Sequence, residues 1–96
     1  MVNRGRIDMT AEIEDRTQYD WFGVARVHER KGEFEEALKA YGEAVKIDPQ
    51  FAKAWYYKAK LHHQLGQEAE ARECAKKALE IKPDWAKHVK EFLPDL

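Results

Sequence analysis

The chain has 96 residues, 44% of them apolar and 36% charged, and its 17 basic and 18 acidic side chains leave a net charge of −1. That length supports one small core and not two, and the apolar share is too high for a disordered chain. The near-neutral balance argues against generic attraction to nucleic acid or membrane, and no stretch approaches the ~18 consecutive apolar residues of a membrane span.

The opening segment, MVNRGRIDMTAEIEDR, carries arginines with no apolar run behind them, so it is not expected to act as a secretory signal. Residues 1–9 are expected to be flexible, and 10–17 to form an N-terminal extension. Thr10 or Asp8 could cap a helix bearing Glu12, Glu14 and Asp15 in its first turns, giving one long helix from about Ala11 to Lys31. That reading is favoured. The alternative starts the helix later, at the capping-box pattern Thr17-x-x-Asp20.

Next come Trp21, Val24, Ala25 and His28, spaced i, i+3, i+4 and i+7 on one helix face, with Gly32 as the stop. Phe34, Ala37, Leu38, Tyr41, Ala44, Val45 and Ile47 follow at helical spacing, until Asp48-Pro49 ends the second helix. The pattern then repeats: Trp55, Ala59 and His62, then Gly66, then Ala71, Ala75, Ala78, Leu79 and Ile81 before Pro83. Laying 18–51 over 52–85 superposes Trp21 on Trp55, Ala25 on Ala59, His28 on His62, Gly32 on Gly66, Ala37 on Ala71, Ala44 on Ala78 and Pro49 on Pro83. Two units result, 18–51 and 52–85, each a pair of helices. No segment alternates apolar and polar residues as a strand would.

The pattern Trp-x2-Leu-Gly-x2-Tyr, then Ala-x3-Phe, then Pro, with a period of about 34 residues, is that of the tetratricopeptide repeat. Here it reads Trp21-x2-Val24-Ala25-x2-His28, Ala37-x3-Tyr41 and Pro49, and again Trp55-x2-Lys58-Ala59-x2-His62, Ala71-x3-Ala75 and Pro83. The chain therefore resembles that family over residues 18–85, which implies an all-α helical-hairpin solenoid. Alanine stands for the usual glycine and histidine for the usual tyrosine in both units. In the second unit Lys58, Glu68 and Arg72 replace Val24, Phe34 and Leu38. Glu68 and Arg72 are spaced for an ion pair on an exposed helix face. The stem of Lys58 is expected to lie on apolar surface with its ammonium in water. Residues 86–93, with Val89, Phe92 and Leu93 at core-facing slots and Pro94 behind them, read as a terminal cap helix whose lysines keep its outer side polar.

The resemblance implies a concave groove lined by the first helix of each unit. Its lining would be Tyr19, Phe22, Arg26, Glu29 and Arg30, then Lys53, Tyr56, Lys60, His63 and Gln64, then Lys87 and Lys90 of the cap. Six of these are basic and one acidic, a sign asymmetry that the whole chain lacks. Such a face suits an acidic peptide with apolar or aromatic anchors, although the same residues also suit a plain solvated helix surface. Some members of the family clamp a C-terminal carboxylate with Lys, Asn, Asn, Lys and Arg. The matching positions here are Phe22, Arg26, Tyr57, Lys87 and Glu91, of which only Lys87 agrees.

Catalysis is not expected. His62 and His63 are adjacent, so on a helix their rings diverge and do not share a face, and no metal site is expected there. No phosphate-cradling glycine loop, zinc-protease motif or activated nucleophile occurs, and no cofactor is implied. Cys74 is the single cysteine, which precludes an intramolecular disulfide and fits a cytoplasmic setting. It reads as an inert packing residue. The expected role is a protein-interaction scaffold, with nucleic acid a remote third. Self-assembly is the alternative, because Trp21 and Phe22 open the array and a second copy of the chain could cover them.

Overall fold

The computed structural model describes residues 15–96. Within them lie five α-helices: α1 (Gln18–Arg30), α2 (Phe34–Ile47), α3 (Ala52–Gln64), α4 (Glu68–Ile81) and the short α5 (Ala86–Lys90). A 3-10 turn, Pro83–Trp85, leads into α5, and the described residues contain no strand. The fold is all-α. Helices α1 and α2 pack as one hairpin and α3 and α4 as a second, with α2 against α3 joining them.

The long N-terminal helix is corrected by the structure. Helix α1 begins at Gln18, because Thr17 Oγ1 accepts the Asp20 amide at 3.2 Å while Asp20 Oδ2 accepts the Thr17 amide at 3.0 Å. This reciprocal box satisfies two N–H groups that a helix start leaves unpaired, and the backbone of Thr17 itself is extended. The proposed caps Thr10 and Asp8 lie outside the described residues.

Both hairpin turns use one device. Gly32 and Gly66 take φ of +79° and +77°, a left-handed conformation that costs a residue with Cβ about 1 kcal/mol or more. The turn folds the Glu33 amide back onto the His28 carbonyl and the Gln67 amide onto the His62 carbonyl, each at 2.9 Å. These are Schellman closures. The two histidines add a side-chain tie across the same turn: His28 Nδ1 lies 2.6 Å from Glu33 Oε1, and His62 Nδ1 2.7 Å from Gln67 Oε1. Histidine in the slot that the repeat pattern gives to tyrosine thus pins the hairpin by a local hydrogen bond. At the joint between hairpins Asp48 Oδ1 accepts the Gln50 amide at 3.0 Å, and the Trp55 indole donates to the Pro49 carbonyl at 2.9 Å.

Alanines make the core thin and close. Ala25, Ala37, Ala44, Ala54, Ala59, Ala71, Ala75 and Ala78 are fully buried, which lets paired backbones approach, while Tyr41, Leu61 and Val89 are the largest side chains wholly enclosed. Not every residue of the apolar stripes is inside. Phe34 and Ile47, the first and last residues of α2, are exposed, since beyond a helix end the neighbouring helix no longer covers them.

Four further expectations meet the structure. Arg72 does not pair with Glu68: its guanidinium donates to both carboxylate oxygens of Asp95, at 3.0 and 2.9 Å, and Glu68 pairs with His63. The segment after α5 folds back over α4 and puts a carboxylate nearer than the neighbouring turn does. The Arg72 guanidinium holds the Asp95 carboxyl below the usual range. Lys58 is half-buried with Nζ 5.7 Å from the Trp55 ring centre, so its stem does lie on apolar surface. The cap helix is shorter than expected, ending at Lys90, with Leu93 and Val89 buried and Phe92 half-buried beyond it. Trp21 and Phe22, finally, are not left bare at the head of the array. Trp21 packs on the first core with the Arg16 guanidinium 4.7 Å over its ring, and Phe22 is boxed in by Tyr41, Phe51 and Tyr57.

Candidate binding face

Long side chains of α1 and α3 meet along one face. From α1, Phe22 lies 5.3 Å ring-to-ring from Tyr57 of α3, nearly perpendicular at 88°. Phe51, in the joint, stands 5.3 Å from Tyr19 and 5.5 Å from Phe22. On the other side of Tyr57 comes Tyr56 at 5.6 Å, and beyond it Trp85 at 5.7 Å and Phe92 at 5.9 Å. These rings form a continuous strip from α1 to the C-terminal cap. Each contact falls in the tilted or edge-to-face geometry that aromatic pairs favour.

Cations stand over this strip. Arg26 lies 4.5 Å above Tyr57, Lys53 Nζ 5.5 Å from the Phe22 ring centre, and Lys60 Nζ 5.6 and 6.0 Å from Tyr56 and Tyr57. The three are not equivalent. Arg26 also donates to Glu29 Oε1 at 3.0 Å, and the same oxygen accepts the buried Tyr41 hydroxyl at 2.6 Å. Tyr41 and Glu29 beside it raise the Arg26 guanidinium above its ordinary value, while burial, then the bond to Glu29, pushes the Tyr41 hydroxyl well up. The arginine is therefore committed to a structural network. Among the described residues Lys53 and Lys60 form no ion pair; Lys53 is exposed and Lys60 half-buried.

Other expected lining residues are placed variously. Tyr19 is 67% exposed, the most open large apolar side chain among the described residues, and Arg30 and Gln64 stand at the ends of α1 and α3, the first exposed and the second open to solvent beside the turn. His63 is tied to Glu68 at 3.0 Å with its ring 5.5 Å from Phe92. Lys87 and Lys90 are exposed on α5, but it is His88 that turns toward α3.

Where α3 meets the cap the face deepens into a cavity of about 390 Å³, lined by Lys53, Tyr56, Tyr57, Trp85 and His88. Burial, then the Glu91 carboxylate, raises the Tyr56 hydroxyl above its ordinary value. Two cavities elsewhere are larger, about 440 Å³ beside Trp21 and about 560 Å³ beside Trp55. Their linings mix signs: Glu36 and Glu43 with Arg16 and Lys39 in one, Glu73 and Glu80 with Lys58, Lys76 and Lys77 in the other. Charges of both signs offset one another there, so neither lining presents a single sign of charge.

Tyr57, Phe51, Trp85 and His88 join this face without belonging to the lining expected from sequence. A signal exists for two of them. Phe51 and Trp85 hold equivalent positions in successive repeats, and each joint aromatic packs on the equivalent groove residue, Phe51 on Phe22 and Trp85 on Tyr56. Tyr57 corresponds to Gly23, which gives no hint of a ring.

Comparison with known families agrees with the helical period. A family profile described as TPR repeat matches residues 27–66, and one described as tetratricopeptide repeat matches residues 52–85. No curated protein matches the chain significantly. None of the described helices is long and apolar enough to cross a membrane.

Proposed function

Because the chain belongs to the tetratricopeptide repeat family, whose repeats generally mediate protein–protein interaction, we propose that it is a non-enzymatic scaffold holding an acidic partner segment along the α1/α3 face. One observation carries the reading: a continuous aromatic strip is overlain by Lys53 and Lys60, neither of them neutralised by a described carboxylate. Rings supply apolar contact area that a peptide can cover, and the lysines steer a negative segment toward it and fix its register. Arg26 contributes by holding Tyr57 in place more than by reaching for the partner. The single cysteine suits a cytoplasmic setting for this module, and no cofactor enters the mechanism.

The test is a titration of labelled acidic and basic peptides of equal length, repeated at rising salt. The acidic peptide should bind tighter, with affinity that falls as salt screens the lysines over a Debye length of about 10 Å at 0.1 M. Equal affinity for both peptides would refute the assignment.

Self-assembly is the second reading, and Val27 favours it, being 47% exposed at the stacking position of the first hairpin. The residues around it argue the other way: Asp20, Gly23 and Lys31 stand where the second hairpin has Ala54, Tyr57 and Leu65. Light scattering across a dilution series separates the two, since a constant monomer mass would remove self-assembly.

A further inference from the structure

We infer that the cavity between Tyr56 and Trp85 seats a single aromatic side chain of the partner, flanked in the partner's sequence by acidic residues. The inference rests on the peptide-binding reading of the α1/α3 face and names the anchor within it. Size comes first. About 390 Å³ is near the small end of the ~300–1,000 Å³ range of ligand pockets, room for one large side chain and not for a folded element.

The lining then selects among side chains. Tyr56 meets Trp85 at 72° and Tyr57 at 81°, so the walls present both ring faces and ring edges. An entering ring can pack against a face and an edge together, which gives aromatic pairs energy beyond the area they bury. A cationic side chain, the other common guest of aromatic walls, is excluded by the charge already present. Lys60 stands over Tyr56 and Tyr57, Lys53 lines the cavity itself, and a third positive group would meet like charge on both sides. Carboxylates beside the anchor reach Lys53 and Lys60 instead. The complement of the site is thus an aromatic residue within an acidic stretch.

Two acidic peptides of equal length and charge, one with phenylalanine at its centre and one with alanine there, test this against the full chain. The phenylalanine peptide should bind at least ~10-fold tighter, the scale on which a buried aromatic anchor acts. His88→Glu adds an acid to the cavity lining at an exposed position where folding is not at stake, and should weaken the phenylalanine peptide several-fold more than the alanine peptide. Trp85→Leu, with its fold checked by circular dichroism, should abolish the preference for phenylalanine. If the two peptides bind equally well, the anchor is overturned while the basic-face reading stands. If neither binds, both fail. If the preference survives His88→Glu and Trp85→Leu undiminished, the aromatic residue is seated elsewhere and the inference is wrong.

Discussion

Val27 and Leu61 occupy the same place in successive hairpins, yet Val27 is 47% exposed and Leu61 is fully buried. The difference is one of neighbours. Leu61 faces the preceding hairpin and packs with Ala25, Ala37, Ala40 and Tyr41, whereas no described helix covers Val27. Truncating a buried leucine removes contacts and leaves a cavity, so Leu61→Ala should cost about 2–5 kcal/mol. Val27→Ala should stay within about 0.5 kcal/mol. Urea denaturation of the two variants checks this, and similar losses would mean that the hairpins do not stack as described.

The two turn glycines offer a second comparison. Nothing lies within 4 Å of a Cβ built on Gly32 or Gly66, so replacing either by alanine meets no clash and costs only the left-handed backbone, about 1–2 kcal/mol each. Gly23 is inside α1, also with open space around it. Gly23→Ala should therefore stabilise by about 0.5–1 kcal/mol. Thermal melts of the three variants should show two losses and one gain.

Legibility from sequence divides along the same line. The turns are readable because Gly32, Gly66, Pro49 and Pro83 act through their own backbones, and six of the buried alanines because the repeat period marks them in pairs, Ala25 with Ala59, Ala37 with Ala71 and Ala44 with Ala78. The start of α1 hangs on a local hydrogen-bond choice, and Thr17 with Asp20 wins it although several acids upstream suit an earlier start. Arg72 escapes the reading because its partner, Asp95, is 23 residues away and joined to it only by the fold. Of the binding face, the charge asymmetry is legible by counting, but Arg26 and Lys53 look alike in sequence. Only the structure separates a cation tied to Glu29 from one that stands over a ring with no described carboxylate partner.

Alkaline pH should weaken the fold by a predictable sign. Burial pushes both the Cys74 thiol and the Tyr41 hydroxyl up, so the native state keeps these protons longer than the unfolded chain does. Their contribution is complete below the unfolded values of about 8.5 and 10, and declines as pH rises beyond each. Denaturation midpoints measured from about pH 7 to 11 should fall. Tyr41→Phe should flatten the upper part of that fall while lowering stability by about 1–3 kcal/mol at neutral pH through the lost bond to Glu29. For the same reason a thiol reagent should label Cys74 slowly in the native protein and at once in denaturant.

Whether the α1/α3 face or the opposite side holds the partner can be read from three protons. Trp85 lines the cavity beside Tyr56, while Trp21 and Trp55 line the two mixed-charge cavities. Their indole N–H resonances can be assigned by single Trp→Phe replacements and followed by NMR as an acidic peptide with a central phenylalanine is added. If the α1/α3 face holds the partner, the Trp85 resonance shifts saturably, those of Trp21 and Trp55 stay in place, and Lys53→Glu with Lys60→Glu suppresses the shift. Movement of Trp21 or Trp55 with Trp85 unchanged would contradict it.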